Sequence, residues 1–143
     1  MPLLDVHAKT LERKRQLAAL VAEHLQSLGH EAEVVEEHRN DSGHLDRVIV
    51  HSSLGLVHTV ASKVVDPNSE IPVSDRDGSQ VFLQGKTWVA YGWVDRSGRT
   101  LVQFLRVEHV LGRTAMARTE LVRLADRELS VMYPAQGATG VKA

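Results

Sequence analysis

The sequence predicts an α/β domain, a mixed β-sheet flanked by helices in the order α-β-β-β-(α)-β-β-α. Three observations carry that prediction. An apolar stripe of helical period runs through the first segment, two pairs of strand-like segments each close on a glycine-containing turn, and a second helical stripe follows the last pair. With 143 residues, 43% of them hydrophobic and 24% charged, the chain is long enough to bury one core and too apolar to stay disordered.

The first helix is expected over Leu11–Leu28. Leu17, Leu20, Val21, His24, Leu25 and Leu28 recur at i, i+3, i+4, i+7, i+8 and i+11 and so share one face. Gly29 is the expected stop, because a residue without Cβ tolerates the left-handed backbone that ends a helix. Ala32–Glu37 reads as a short strand and His38–His44 as a polar loop. Arg47–Ser52 and Leu56–Val65 then form a hairpin through Ser53-Leu54-Gly55. Two registers are open there. A turn at Leu54-Gly55 pairs His51 with His58 and Asp46 with Lys63; a longer loop with Gly55 in a bulge pairs His58 with Val50 and Asp46 with Ser62. Leucine tolerates positive φ poorly, which favours the bulge. Val48, Ile49, Val50, Val57, Val60 and Val64 are expected core, with Leu25 from the helix.

Pro67 and Pro72 exclude a regular central strand from the next stretch. Asp77 to Gly85 is expected to form one short helix, capped by the aspartate and stopped by the glycine. Thr87–Val94 and Arg99–Val107 make the second hairpin around Asp95-Arg96-Ser97-Gly98. Within it Trp88, Ala90 and Gly92 alternate with Val89, Tyr91 and Trp93. The last helix is expected over Thr114–Leu129, with Ala117, Leu121, Leu124 and Ala125 on one side. Residues 1–133 thus read as a single domain and 134–143, rich in small residues, as a flexible tail.

Several function classes drop out. The absence of cysteine excludes disulfide scaffolds, Cys-based zinc sites and thiol nucleophiles. No apolar run reaches the roughly 20 residues that span a bilayer, and Met1–Lys9 carries no signal-peptide pattern, so a cytoplasmic domain with no membrane partner is expected. Aromatic residues make up only 4%, against a sheet that stacks bases on aromatic platforms. Net charge is −1, yet it is unevenly spread: residues 1–72 carry 7 Lys/Arg against 11 Asp/Glu, and residues 73–143 carry 10 against 7. Arg96, Arg99 and Arg113 belong to that positive half, where guanidinium groups suit phosphate but also serve as solvated flanks. His44, His51 and His58 lie on or beside the first hairpin, and its register decides whether they converge on a metal.

The remaining chemistry rests on Glu12 near the start of the first helix, Asp46 opening the second strand and Lys63 near the end of the third. Each has a structural alternative: a helix-dipole partner, a loop cap and a solvated strand end. The layout resembles the restriction-endonuclease-like nucleases, the PD-(D/E)XK superfamily, and within it the archaeal-type Holliday-junction resolvases. Glu12-Arg13 matches the first-helix glutamate, Gly43-His44-Leu45-Asp46 the aspartate segment and Ala61-Ser62-Lys63 the Glu-x-Lys segment, over about residues 10–110. The resemblance implies a restriction-endonuclease-like sheet and Mg²⁺, with Mn²⁺ as a substitute, held by Asp46 and Glu12. It implies Lys63 stabilising the developing charge, four-way junctions or other branched DNA as substrate, and a symmetric homodimer. Arg96, Arg99 and Arg113 would contact the DNA.

Ala61 departs from the pattern, because it stands where the family places its second essential carboxylate and a methyl group cannot ligate a metal. A migrated carboxylate (Glu12, Glu70 or Asp66), binding without cleavage, and an inactivating substitution all fit. A non-catalytic DNA- or protein-binding module on the same scaffold is therefore the alternative to a metal-dependent endonuclease.

Overall fold

In the computed structural model, which describes residues 4–5, 7–37, 47–62, 68–74 and 80–135, the first apolar stripe becomes α1, Thr10–Ser27. Leu17, Leu20, Val21 and Leu25 are buried, as their spacing requires, whereas Leu28 at the C-cap is exposed. Gly29 ends the helix at φ +95°, and the N–H groups of Gly29 and His30 donate to the carbonyls of Gln26 and Leu25. That pair of bonds satisfies two carbonyls the last turn would leave open.

Eight strands follow in the described residues: β1 (Ala32–Glu37), β2 (Arg47–Ser52), β3 (Gly55–Ala61), β4 (Glu70–Pro72), β5 (Trp88–Val94), β6 (Thr100–Arg106), β7 (Ala115–Ala117) and β8 (Val131–Tyr133). A short helix, α2 (Arg118–Leu124), lies between the last two. Six strands form one mixed sheet in the order β1-β2-β3-β5-β6-β8, in which only β3 and β5 run parallel. β4 and β7 pair antiparallel in a separate two-stranded sheet. Pro72 is thus confined to a short outlying strand, as its missing N–H demands.

β5 is buried on both faces, and its alternation sorts the core into two layers. Trp88 and Ala90 join Val48, Val50, Val57, Val102 and Phe104 beneath Leu17, Val21 and Leu25 of α1. Val89, Tyr91 and Trp93 point the other way, to Ile71, Val73, Phe82, Met116 and Leu121. Gly92 faces α1, where a Cβ would lie 3.0 Å from Cδ2 of Leu17; the missing side chain is what lets the helix settle on the sheet. Of the expected core, Leu25, Val48, Ile49, Val50 and Val57 are buried and Val60 is partly so, while Val64 lies outside the described residues.

The first hairpin adopts neither expected register. Ser52 pairs with Gly55, Val50 with Val57 and Ile49 with His58, so the loop is Ser53-Leu54. The Ser52 hydroxyl donates to the Gly55 carbonyl and accepts from the Leu54 N–H, which fixes the turn one residue earlier than expected. Gly55 then takes φ +117° as the first residue of β3, where a Cβ would collide with Thr87.

Two helices differ from expectation. Of Asp77–Gly85, the described part holds a single 3-10 turn, Val81–Leu83, with residues 77–79 outside the described set. The helix expected over Thr114–Leu129 spans only Arg118–Leu124, because Ala115–Ala117 is extended against β4. Its apolar residues serve both layers: Leu121 and Ala125 pack on the β4–β7 side, Leu129 on the α1 side. The Asp126 N–H donates to the Phe104 carbonyl as the chain crosses from one layer to the other. A continuous helix could not serve two faces of one sheet. Of the tail, Pro134 and Ala135 are described and residues 136–143 lie outside the described set.

Candidate functional site

β3 lies inside the sheet, between β2 and β5, and carries a histidine in an otherwise apolar and hydroxyl-bearing run. Alternation sends Val57 toward α1 and His58 toward the opposite face, where its ring meets Phe82 at a centroid distance of 4.7 Å. His58 is only 8% exposed, and its Nδ1 is buried without a hydrogen-bond partner. Arg47, the first residue of β2, places its guanidinium 5.9 Å from the centre of the same Phe82 ring. Beside these groups lies a cavity of about 190 Å³ whose described wall includes His58, Ala61, Phe82, Tyr91, Lys14 and Arg47. The described wall contains no carboxylate.

The electrostatics follow from that wall. Burial, then the charges of Lys86, Arg47 and Lys14, push the His58 pKa down to about 3. The ring is neutral near pH 7, with one N–H to donate and one lone pair to accept. Lys86 lies 3.9 Å from Glu37, which leaves its charge partly compensated from the β1 side. Among the described residues no carboxylate pairs with Arg47. Burial raises the Tyr91 pKa, so its phenol remains an O–H group. Two cations, an imidazole and a phenol around one cavity make a binding chemistry for anions with acceptor oxygens.

Only part of the set expected from sequence is described. Asp46 and Lys63 lie outside the described residues, as does His44. Glu12 is exposed on α1, two residues from Lys14, a spacing at which helix side chains do not face each other. Ala61 ends β3, partly buried against the α1-side core, with its methyl group in the cavity wall. His51 is exposed and stands opposite Leu56, so it is not the cross-strand partner of His58. Among the described residues no three His, Asp or Glu side chains are grouped to hold a metal. Of the two ligands expected for Mg²⁺ or Mn²⁺ only Glu12 is described, and one carboxylate is short of the several oxygen ligands these ions take.

Arg99 and Arg113 are engaged within the chain. Arg99 Nε donates to Asp95 at 2.9 Å, while Arg113 makes two hydrogen bonds to Glu120 at 3.0 and 2.7 Å. The bond from Arg113 holds the Glu120 carboxyl below its usual range. Arg96 and Arg99 belong to the turn that precedes β6, whereas Arg113 lies beyond its far end, so the sheet does not bring the three together.

Lys14, Arg47, His58, Phe82 and Tyr91 were not singled out together by sequence. The sequence carries a signal for two of them: the basic run Arg13-Lys14-Arg15 in the first helix for Lys14, and an inward position in a strand rich in β-branched residues for His58. No family model, no curated protein and no solved structure matches the chain.

Proposed function

We propose that this chain is a DNA-binding domain that engages phosphate at the cavity beside β3 and does not cleave it. The observation that carries the reading is the described wall of that cavity, with Lys14, Arg47 and an imidazole whose buried Nδ1 has no hydrogen-bond partner, and with Ala61 at the position where the resemblance expects a carboxylate. Cationic side chains grouped around a recess attract phosphate and release its counterions, which gives affinity without any metal. The resemblance to the resolvases supplies the expected class of DNA, four-way junctions and other branched forms, and the expected homodimer, which light scattering tests.

The metal-dependent endonuclease is the second reading. What favours it is the layout of α1, the adjacent antiparallel β2–β3 pair and the hairpin β5–β6, which accords with a restriction-endonuclease-like core. A labelled four-way junction and a linear duplex, each with and without Mg²⁺, separate the two. The proposal expects binding that weakens with salt, weaker binding in Lys14→Gln/Arg47→Gln, and no cleavage. Ala61→Glu should weaken binding, because it adds a negative charge to a cationic wall. Cleavage by the unaltered chain would overturn the proposal in favour of the nuclease, whereas cleavage gained only by Ala61→Glu would support it, by showing a metal site from which Ala61 removes a ligand.

A further inference from the structure

The cavity beside β3 holds a feature that general phosphate attraction does not require. His58 lies in its wall with a ring nitrogen buried and unbonded, although buried polar atoms are nearly always paired. A buried nitrogen without a partner opposes folding, and its strand neighbours supply none, since Ile49 opposite and Val60 beyond are both apolar and the ring packs on Phe82. Nδ1 is sealed from the cavity as well, and it is the 8% of His58 left exposed that a ligand oxygen entering the cavity would meet.

Depth restricts what that ligand can be. His58 is 8% exposed, so a group must project into the recess to reach it. A phosphodiester inside a strand is flanked by sugar on both sides and lies along the surface, where it can meet the partly exposed Lys14 and Arg47 but not the buried ring. A terminal phosphomonoester projects, carries a charge of about −1.5 to −2 at pH 7 and offers three acceptor oxygens. The described wall answers that charge with Lys14 and Arg47, adds the Tyr91 phenol as a donor, and sets no described carboxylate against it. A cavity of about 190 Å³ has room for such a group and no room for a duplex.

We infer that this cavity is a seat for one terminal phosphomonoester, with His58 donating to it from the buried wall and Lys14 and Arg47 balancing its charge. The inference rests on the DNA-binding reading above and names the group the cavity accepts. Its chemistry is shared by a nucleic-acid end and by free phosphate, so the test carries an arm for each.

Single-stranded oligonucleotides of one sequence, with a 5′-phosphate, a 3′-phosphate or neither, are titrated against the full chain by fluorescence anisotropy. Inorganic phosphate is titrated separately while the imidazole resonances of His58 are followed by NMR. The expected result is at least one phosphorylated strand binding about tenfold or more tighter than the unmodified strand, a preference worth about 1.4 kcal/mol. Inorganic phosphate should shift the His58 resonances and compete away that preference. His58→Leu should collapse the preference toward one; Arg47→Gln, a half-exposed position, should do the same and covers the case in which the buried substitution disturbs folding. Equal affinity for all three strands, with His58 unmoved by phosphate, would overturn the seat and leave the DNA-binding reading standing. If no strand binds but phosphate still shifts His58, the DNA-binding reading fails and the seat survives. If neither acts, both are wrong.

Discussion

Replacing His58 with leucine should make the protein markedly less sensitive to acid, and the size of the effect follows from where the ring sits. In the unfolded chain the imidazole titrates near its ordinary 6.5; in the fold, burial and the charges of Lys86, Arg47 and Lys14 push it down to about 3. Above pH 6.5 both states hold the ring neutral, and its titration contributes nothing. Below that value the unfolded chain gains a proton that the folded chain refuses, so stability falls as pH falls, by about 1.4 kcal/mol per pH unit, until the folded ring also protonates. By pH 4.5 the loss is roughly 2–3 kcal/mol, a large part of a typical domain's stability. Leucine cannot titrate, and it also removes the partnerless nitrogen, so near pH 7.5 the variant should be as stable as the parent or somewhat more so. Urea unfolding of both proteins at pH 7.5, 6.5, 5.5 and 4.5, in phosphate-free buffers, measures the gap directly. A gap that widens in the variant's favour with falling pH supports the reasoning. A gap that stays constant would show that His58 is hydrated or paired in the fold, and would refute it.

Other substitutions probe the frame around the cavity. Gly92→Val should cost about 1–3 kcal/mol in thermal or urea unfolding, because the new side chain meets Leu17 where α1 packs on β5. Gln80→Ala should cost roughly 1–3 kcal/mol, since its amide Nε2 lies 3.0, 2.8 and 3.0 Å from the carbonyls of Val73, Val110 and Arg113 and its Oε1 accepts from Gly112 at 2.8 Å. Hydrogen exchange at the Gly112 amide should accelerate in that variant. Arg113→Ala should lower DNA affinity less than Arg47→Gln does, because Arg113 is already committed to Glu120. NMR titration of the same variant should show the Glu120 carboxyl returning upward toward its usual range.

Periodicity made the α1 stripe, the β2 and β3 strands and the two-faced alternation of β5 legible, because each of these reports which side of an element is dry. The turn at Ser53-Leu54 was not legible from its glycine alone. Its register depends on where the Ser52 hydroxyl finds partners, and Gly55 was free to act as a strand residue at positive φ. The last helix was overcalled because Ala117, Leu121, Leu124 and Ala125 satisfy a helical stripe, while the pairing of Ala115–Ala117 with β4 and the crossing to Leu129 on the other layer are tertiary choices. The candidate site was legible only in pieces. Lys14, Arg47, His58, Phe82 and Tyr91 come from five separate segments, and no local spacing announces that they meet. Sequence reasoning instead sought a carboxylate pattern, of which Ala61 and Glu12 are the members placed by the fold, one a wall methyl and the other an exposed helix residue.

The central claim, that DNA phosphate is engaged at the β3 cavity, is tested most directly by the salt dependence of binding. The dissociation constant for an unphosphorylated four-way junction should be measured across a series of NaCl concentrations for the parent and for Lys14→Gln/Arg47→Gln. The account predicts a steep loss of affinity with salt in the parent, and a slope in the variant shallower by about 2, roughly one for each cation removed. Identical slopes and affinities in the two proteins, or no binding by the parent at low salt, would contradict it.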